Sequence, residues 1–458
     1  MGDRFRKDFT EGSVNQLLIR FAMPFLFAQL LQAFYSLTDM LIVGRYMGDY
    51  GISAVNNSSV LTMFISTFVS GFALSGTVLV AQYIGAKEEE QAQKTIGTLF
   101  TLFLFASILV TAVGLIFHDA LLGILHTPSE AYVEAKRYLV ICFSGTIFIC
   151  GYNGVSAILR GLGDSKRPLY FVMIATVINI ILDLIMVGYF RMGAGGAALA
   201  TVIAQATSFF LAVGTLYKQN FIFDFKLKSF RIDKTKAPLI FKIGLPSAIQ
   251  SGVVNFSFIF VISHVNVYGL AASTAVGIGS KIDSFAILPC IAFSQAVASV
   301  VGQNLGAGKY DRAKEAMFTG MRLSFLFSLS IFLLVNIFAT QIMGLFRCTA
   351  ETMEIGKVYI RLATMAYLFN SITFTVNGLA NGAGISLLPM FTAVCNLIIA
   401  RVPLIYFFSK TMGMGLSGIF LAMGCSQAAG LFTSGIFYFS GKWRKTIIKE
   451  GETLPKGS

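Results

Sequence analysis

Two aspartates stand inside stretches that are otherwise apolar enough to cross a lipid bilayer. Asp39 closes the series Gln32, Tyr35, Asp39, and Asp183 closes the series Thr176, Asn179, Asp183. Both series run i, i+3, i+7, so on a helix each set lies along one face. At ~1.5 Å of rise per residue, Asp183 on the fifth stretch and Thr201 on the sixth each fall ~10 Å below the outer ends of their helices, and Asp39 falls ~6 Å below that of the first. Three helices of one bundle can therefore bring Asp39, Asn179, Asp183 and Thr201 to a common level. A carboxylate in hydrocarbon is costly and is a functional-site hypothesis by default. Two of them close together in a low dielectric do not both stay ionised easily, so such a pair can take up and release protons. The competing reading is interhelical glue, with the acids satisfied by Asn179, Thr201 or a cation such as Arg20. The cost of burial, and the lack of both acids at the matching positions of the second half, favour function over glue.

The elements that must hold these residues follow from composition. With 55% hydrophobic residues, 12% charged residues and a mean hydropathy of +0.74 over 458 residues, the chain belongs to the polytopic membrane class. Apolar runs exceed the ~20 residues that cross hydrocarbon as a helix, and none alternates as a barrel strand does. The predicted fold is all-α and integral to the membrane. Spans are predicted at 14–43, 53–83, 95–118, 132–159, 168–190 and 194–217, then at 238–267, 275–303, 315–342, 355–380, 387–409 and 415–440. The first is too long for a signal-peptide core and has no small-residue cleavage site, so it is expected to be retained.

Little else in the chain carries chemistry. The cysteines at 142, 150, 290, 348, 395 and 425 show neither a CxxC pair nor metal spacing, and His118, His126 and His264 form no HExxH. The run Gly302–Tyr310, GQNLGAGKY, resembles a phosphate loop but has the wrong glycine spacing and no Ser or Thr after Lys309. No enzyme, metal or cofactor is predicted. In the second half, Lys281, Asp283, Arg322 and Arg401 are expected to form local ion pairs or to lie at interfaces.

Charge sets the orientation. Loops on the side of the termini carry twenty-three Lys and Arg, including Arg4, Arg6, Lys7 and seven between Lys218 and Lys242; the other side carries four, Arg45, Arg191, Arg347 and Lys410, or seven with Lys136, Arg137 and Lys357 at span ends. Both termini are therefore expected in the cytoplasm. The formal charge of +13 reports topology and contact with anionic lipid, and no nucleic-acid partner is expected.

The two halves of the chain match at an offset of 221 to 222. Pro24 pairs with Pro246, Gln82 and Gly85 with Gln303 and Gly306, Gly161, Gly163 and Pro168 with Gly382, Gly384 and Pro389, and Gly193, Gly196 and Gln205 with Gly415, Gly418 and Gln427. Duplication explains a near-constant offset better than chance does. Copies with six spans each keep one orientation, so two six-helix lobes related by a pseudo-twofold axis along the membrane normal are expected. The divisions are 1–217 for the first lobe, 218–237 for a cytoplasmic linker, 238–440 for the second lobe and 441–458 for a cytoplasmic tail. Pro24 and Pro246 lie inside the first helix of each lobe, where a missing hydrogen bond makes a kink or hinge.

The paired halves, Pro24 with its fifteen-residue step to Asp39, the D-x-x-x-V-G run Asp39 to Gly44, the turn Leu159 to Pro168 and the N-x-x-x-D of Asn179 and Asp183 resemble the multidrug and toxic compound extrusion (MATE) family. The first-lobe motif is similar to that of its DinF-like, usually proton-coupled branch. The resemblance implies a cation-driven antiporter, working by alternating access, that exports amphipathic, often cationic or aromatic compounds. It assigns Asp39, Asn179, Asp183 and Thr201 to cation coupling, and Gln32, Tyr35, Asn153 and Met173 to the drug cavity. The family's other arrangement uses acids where this chain has Asn255 and Asn370, which weakens the case for a sodium site in the second lobe. The expected protein is a monomeric plasma-membrane multidrug antiporter whose partners are drug-like small molecules, membrane lipids and protons, with sodium as the alternative ion. The alternatives are a flippase or exporter of a lipid-linked saccharide or specific metabolite and, from another class, an intramembrane enzyme or channel.

Overall fold

The computed structural model describes residues 6–124, 127–218, 221–346 and 348–448; Arg4, His126, Arg347 and the tail beyond residue 448 lie outside the described residues. Among the described residues the chain is helical and no strand occurs. Ten helices are long and apolar enough to cross a membrane, from Val14–Gly48 to Gly415–Phe439. Span 4 is a pair, Ser129–Ser144 and Thr146–Gly161, bent by 48°. Its repeat partner, Ala350–Ala363 with Ala366–Gly382, is span 10. Glu351, Glu354, Lys357 and Arg361 keep that segment from reading as apolar. Twelve spanning helices result, as the hydropathy pattern predicts, because inside lipid each backbone N–H and C=O must find its partner within its own segment.

The residues fall into two compact units. One takes Met23–Leu245 with the amino-terminal residues up to Asp8; the other takes Phe9–Ala22 with Pro246–Glu450. The repeat shows in the backbone of each. Gly163 and Gly384 both hold positive φ, 88° and 83°. Two residues earlier in each copy, a Cβ on Gly161 would lie 2.8 Å from Thr77 O and one on Gly382 2.7 Å from Ala298 O. The glycines of the turn motif thus serve a tight turn and a close helix crossing, as sequence punctuation suggests.

In the second unit the stretch resembling a phosphate loop has a structural task. Phe9 N–H donates to Gln303 Oε1 at 2.9 Å, and Asn304 Nδ2 donates to Phe9 O at 3.1 Å. Lys309 Nζ donates to Thr10 O at 2.9 Å. Arg312 donates to the carbonyls of Phe9, Glu11 and Gly12. These side chains satisfy backbone carbonyls that precede the helix and dock the buried Phe9 ring.

The linker is packed within the first unit. Phe221 and Phe223 are buried, and the rings of Phe223 and Phe230 meet edge to face at 5.2 Å. Span 3 admits the linker through Gly97, where a Cβ would sit 2.2 Å from Ser229 O. Asp233 then opens span 7: its Oδ1 accepts from Thr235 N–H at 2.8 Å and from Lys236 N–H at 3.2 Å. Its own N–H donates to Thr98 Oγ1 at 3.0 Å. Burial works against its charge, but the Thr235 hydroxyl, these two N–H groups and the Lys236 ammonium outweigh it and hold the carboxyl below its ordinary pKa.

Candidate functional site

Span 6 places the site by being small. Ala194, Ala197, Ala198 and Ala200 are fully buried, and such residues let neighbouring helices approach closely. Thr201 follows them and faces spans 1 and 5. Tyr35 on span 1 and Thr201 join their hydroxyls at 2.8 Å. With the Asn179 amide oriented to satisfy both of its neighbours, Nδ2 donates to Asp183 Oδ2 at 3.0 Å and Oδ1 accepts from Thr201 N–H at 3.3 Å. Directly after Asp183 span 5 widens into a π-helix, Leu184–Tyr189. Wide turns of this kind are frequent at functional sites.

Asp39 and Asp183 meet. Their side chains are close enough to interact, with Asp39 7% exposed and Asp183 0%. No described residue donates to Asp39 Oδ1 or to Asp183 Oδ1. Two carboxylates are acceptors only, so a hydrogen bond between them requires a proton carried by one. Where the two acids approach, one proton can be shared between them, beside the Asn179 amide that donates to Asp183 Oδ2.

The pair borders a cavity of about 500 Å³ whose wall includes Gln32, Tyr35, Asp39, Asn153, Asn179 and Thr201. Among the described residues Asp39 is the one charged side chain on that wall, with no Lys, Arg or His. When ionised, Asp39 gives that wall negative charge. Arg20, the suggested neutralising cation, belongs to the other unit. Of the residues expected at the cavity, Gln32, Tyr35 and Asn153 are on the wall and Met173 is not: its side chain is 43% exposed, and Val172 takes the place on the wall. Consecutive positions on a helix point along different faces, which the family pattern alone does not resolve. The helix through Pro24 is continuous, and the break between spans 1 and 2 is at Gly48.

Sequence reasoning missed the contribution of span 2. Ser59, Thr62, Ser66 and Ser70 all line the cavity. Their spacing of three, four and four is a polar stripe on an apolar helix, and that signal was present in the sequence.

The second unit differs. Asn370 lines a smaller cavity, and Asn255 is not part of its wall. Asp283 and Arg401, expected in local ion pairs or at interfaces, both make hydroxyl contacts. Tyr359 and Tyr367 donate to Asp283 Oδ2 and Oδ1, each at 2.5 Å. Arg401 donates to Ser257 and Ser426. Lys281 and Arg322 are exposed.

Comparison with known proteins agrees with this arrangement. The MatE family model matches residues 24–185 and 246–407, two segments 222 residues apart, in keeping with the internal repeat. The probable multidrug resistance protein YpnP of Bacillus subtilis is 30% identical over 441 residues, covering 95% of this chain and 97% of its own. The probable multidrug resistance protein NorM of Thermotoga maritima is 25% identical over 453 residues, covering 96% of each. Among solved structures, the outward-facing conformation of a multidrug resistance MATE family transporter of the MOP superfamily superposes with a TM-score of 0.89 at 22% identity, over 95% of this chain and 98% of that one, a likeness of fold. From the duplicated twelve-helix fold and these matches, the chain belongs to the MATE family and is a multi-pass membrane transporter, not an enzyme.

Proposed function

We propose that the protein is a proton-coupled multidrug antiporter of the DinF-like branch, and that Asp39 and Asp183 form its coupling site. The observation that carries the proposal is the meeting of two buried carboxyls, each with an oxygen that no described residue serves as donor. A cationic substrate and a proton are then alternative ways of satisfying one acid pair. Proton binding removes the negative charge that holds the cation, and cation binding disfavours the proton to the same degree, because the linkage is reciprocal. Asn179, Thr201 and Tyr35 keep the pair in register, while Gln32 and Asn153 contact the substrate. The second-lobe amides Asn255 and Asn370 supply no negative charge for a sodium ion, which favours the proton.

The setting proposed is the plasma membrane, with both termini and the linker 218–237 in the cytoplasm, between lobes 1–217 and 238–440 and before the tail 441–458. The Lys and Arg asymmetry supports that orientation. Protons enter from the outer side, the substrate leaves there, and the working unit is one chain. The test is transport in reconstituted vesicles: accumulation of a fluorescent organic cation driven by a pH step in wild type and lost in Asp39→Asn supports the reading. Equal accumulation by the two proteins contradicts it.

A further inference from the structure

The second unit holds its own cavity, about 110 Å³, and the one charged side chain on that wall is a cation, Arg401. Arg401 ends the π-helix Asn396–Arg401 in span 11. Its Nε donates to Ser426 Oγ at 3.2 Å and its Nη1 to Ser257 Oγ at 2.8 Å. Neutral hydroxyls therefore orient the guanidinium, and among the described residues no carboxylate contacts it. Asp283 feels its charge but is not on the wall, and both of its oxygens already accept from tyrosine hydroxyls.

The rest of the wall mixes polar with apolar side chains, and its polar part is incompletely satisfied. Thr373 Oγ1 and Asn377 Oδ1 are buried there with no hydrogen-bond partner. A buried network left partly unmatched is unfavourable, and a guanidinium within a membrane bundle without a contacting anion is more so. The volume is several times the ~30 Å³ that a water molecule occupies in the liquid, yet well below the 300 Å³ or so at which drug-sized pockets begin. The space fits one small charged group.

We infer that this cavity is an anion site that takes a carboxylate or phosphate group. Arg401 is its charge partner; the Thr373 hydroxyl and the wall amides of Asn370, Asn377 and Gln427 are its neutral hydrogen-bonding partners. An amide can turn its NH2 toward an oxyanion at no cost in shape, and the free edge of a guanidinium suits oxygen pairs. The site is separate from the Asp39 and Asp183 pair in residues and in charge, and does not depend on proton coupling there.

Binding tests the inference directly. Full-length protein in detergent is titrated calorimetrically with sodium acetate and, separately, with sodium phosphate, at constant ionic strength balanced with sodium chloride. Saturable binding of either anion by wild type is expected, and the responding anion identifies carboxylate or phosphate as the preferred group. Arg401→Gln should weaken it at least about tenfold, and Arg401→Lys less, because the ammonium keeps the charge and loses the fork. Thr373→Val leaves Arg401 in place and removes an unpartnered hydroxyl without changing volume, so it tests the site even where the arginine variant does not fold. It should weaken binding about fivefold, the worth of one neutral hydrogen bond. Absence of saturable binding of both anions by wild type overturns the inference, as does unchanged affinity in both Arg401→Gln and Thr373→Val.

Discussion

Replacing Asp39 by Asn separates the two roles an acid can have inside a membrane bundle. The substitution keeps the shape, and its NH2 can donate to Asp183 Oδ1, the oxygen that no other described residue serves. One neutral hydrogen bond replaces another, so the cost in stability is about 1 kcal/mol or less. For a unit of this size that is a shift of roughly 2–4 °C in the thermal midpoint. Coupling is affected differently. Each proton exchanged across one unit of pH supplies about 1.4 kcal/mol, which sustains roughly a tenfold ratio of substrate across the membrane. Without a titrating group at position 39 that ratio falls to one. The assay is the steady-state distribution of a fluorescent organic cation in vesicles holding a one-unit pH step, with the membrane potential clamped, beside the thermal midpoint of the same preparation. A variant that still concentrates substrate about tenfold refutes the reasoning. A midpoint lowered by ten degrees or more also refutes it, because the acid would then be glue.

Asp183→Asn should match Asp39→Asn in transport, whereas Tyr35→Phe, which removes the 2.8 Å bond to Thr201, should cost about 1 kcal/mol and slow efflux without abolishing it, as read by initial rates. Asp233→Ala removes the cap on span 7 and should lower stability by about 1 kcal/mol at neutral pH in thermal melts. The Asp233 carboxyl is held below its ordinary pKa in the folded protein, so its contribution is fully present above about pH 4 and fades as pH falls through the folded value; the difference between variant and wild type should shrink accordingly. Leu227→Cys, at a position 91% exposed, should resist an impermeant thiol reagent in intact cells and react after permeabilisation, with the parent protein as background. Efficient labelling from outside would invert the orientation. Gly97→Ala should lower the thermal midpoint, because its methyl group would meet the backbone oxygen of Ser229 at 2.2 Å.

The sequence was most legible where periodicity and lipid act together. Twelve apolar runs and a repeat at a fixed offset define the spans, since the bilayer demands both length and internal hydrogen bonding. The quartet Asp39, Asn179, Asp183 and Thr201 was legible because helical spacing and equal depth put its members in register, and the structure brings them together. Contacts that depend on side-chain direction were harder to read. Met173 and Val172 differ by one position and by the face they occupy, and no pattern in a uniformly apolar stretch separates them. The tyrosines that serve Asp283 lie 76 and 84 residues away from it, and charge alone suggested ion pairs instead. The π-helices of spans 5 and 11 leave no mark in composition. The use of Gln303, Asn304 and Lys309 as ties for the backbone near Phe9 depends on contacts across some three hundred residues.

The central claim is that one acid pair exchanges a proton for a cationic substrate. Its most direct test is export in vesicles prepared free of sodium, with an inwardly directed pH gradient as the sole driving force and the membrane potential clamped. The account predicts uphill substrate movement that grows with the size of the pH step and vanishes in Asp39→Asn, while Asn255→Ala and Asn370→Ala retain most activity. Transport that requires a sodium gradient and ignores the pH step would contradict it.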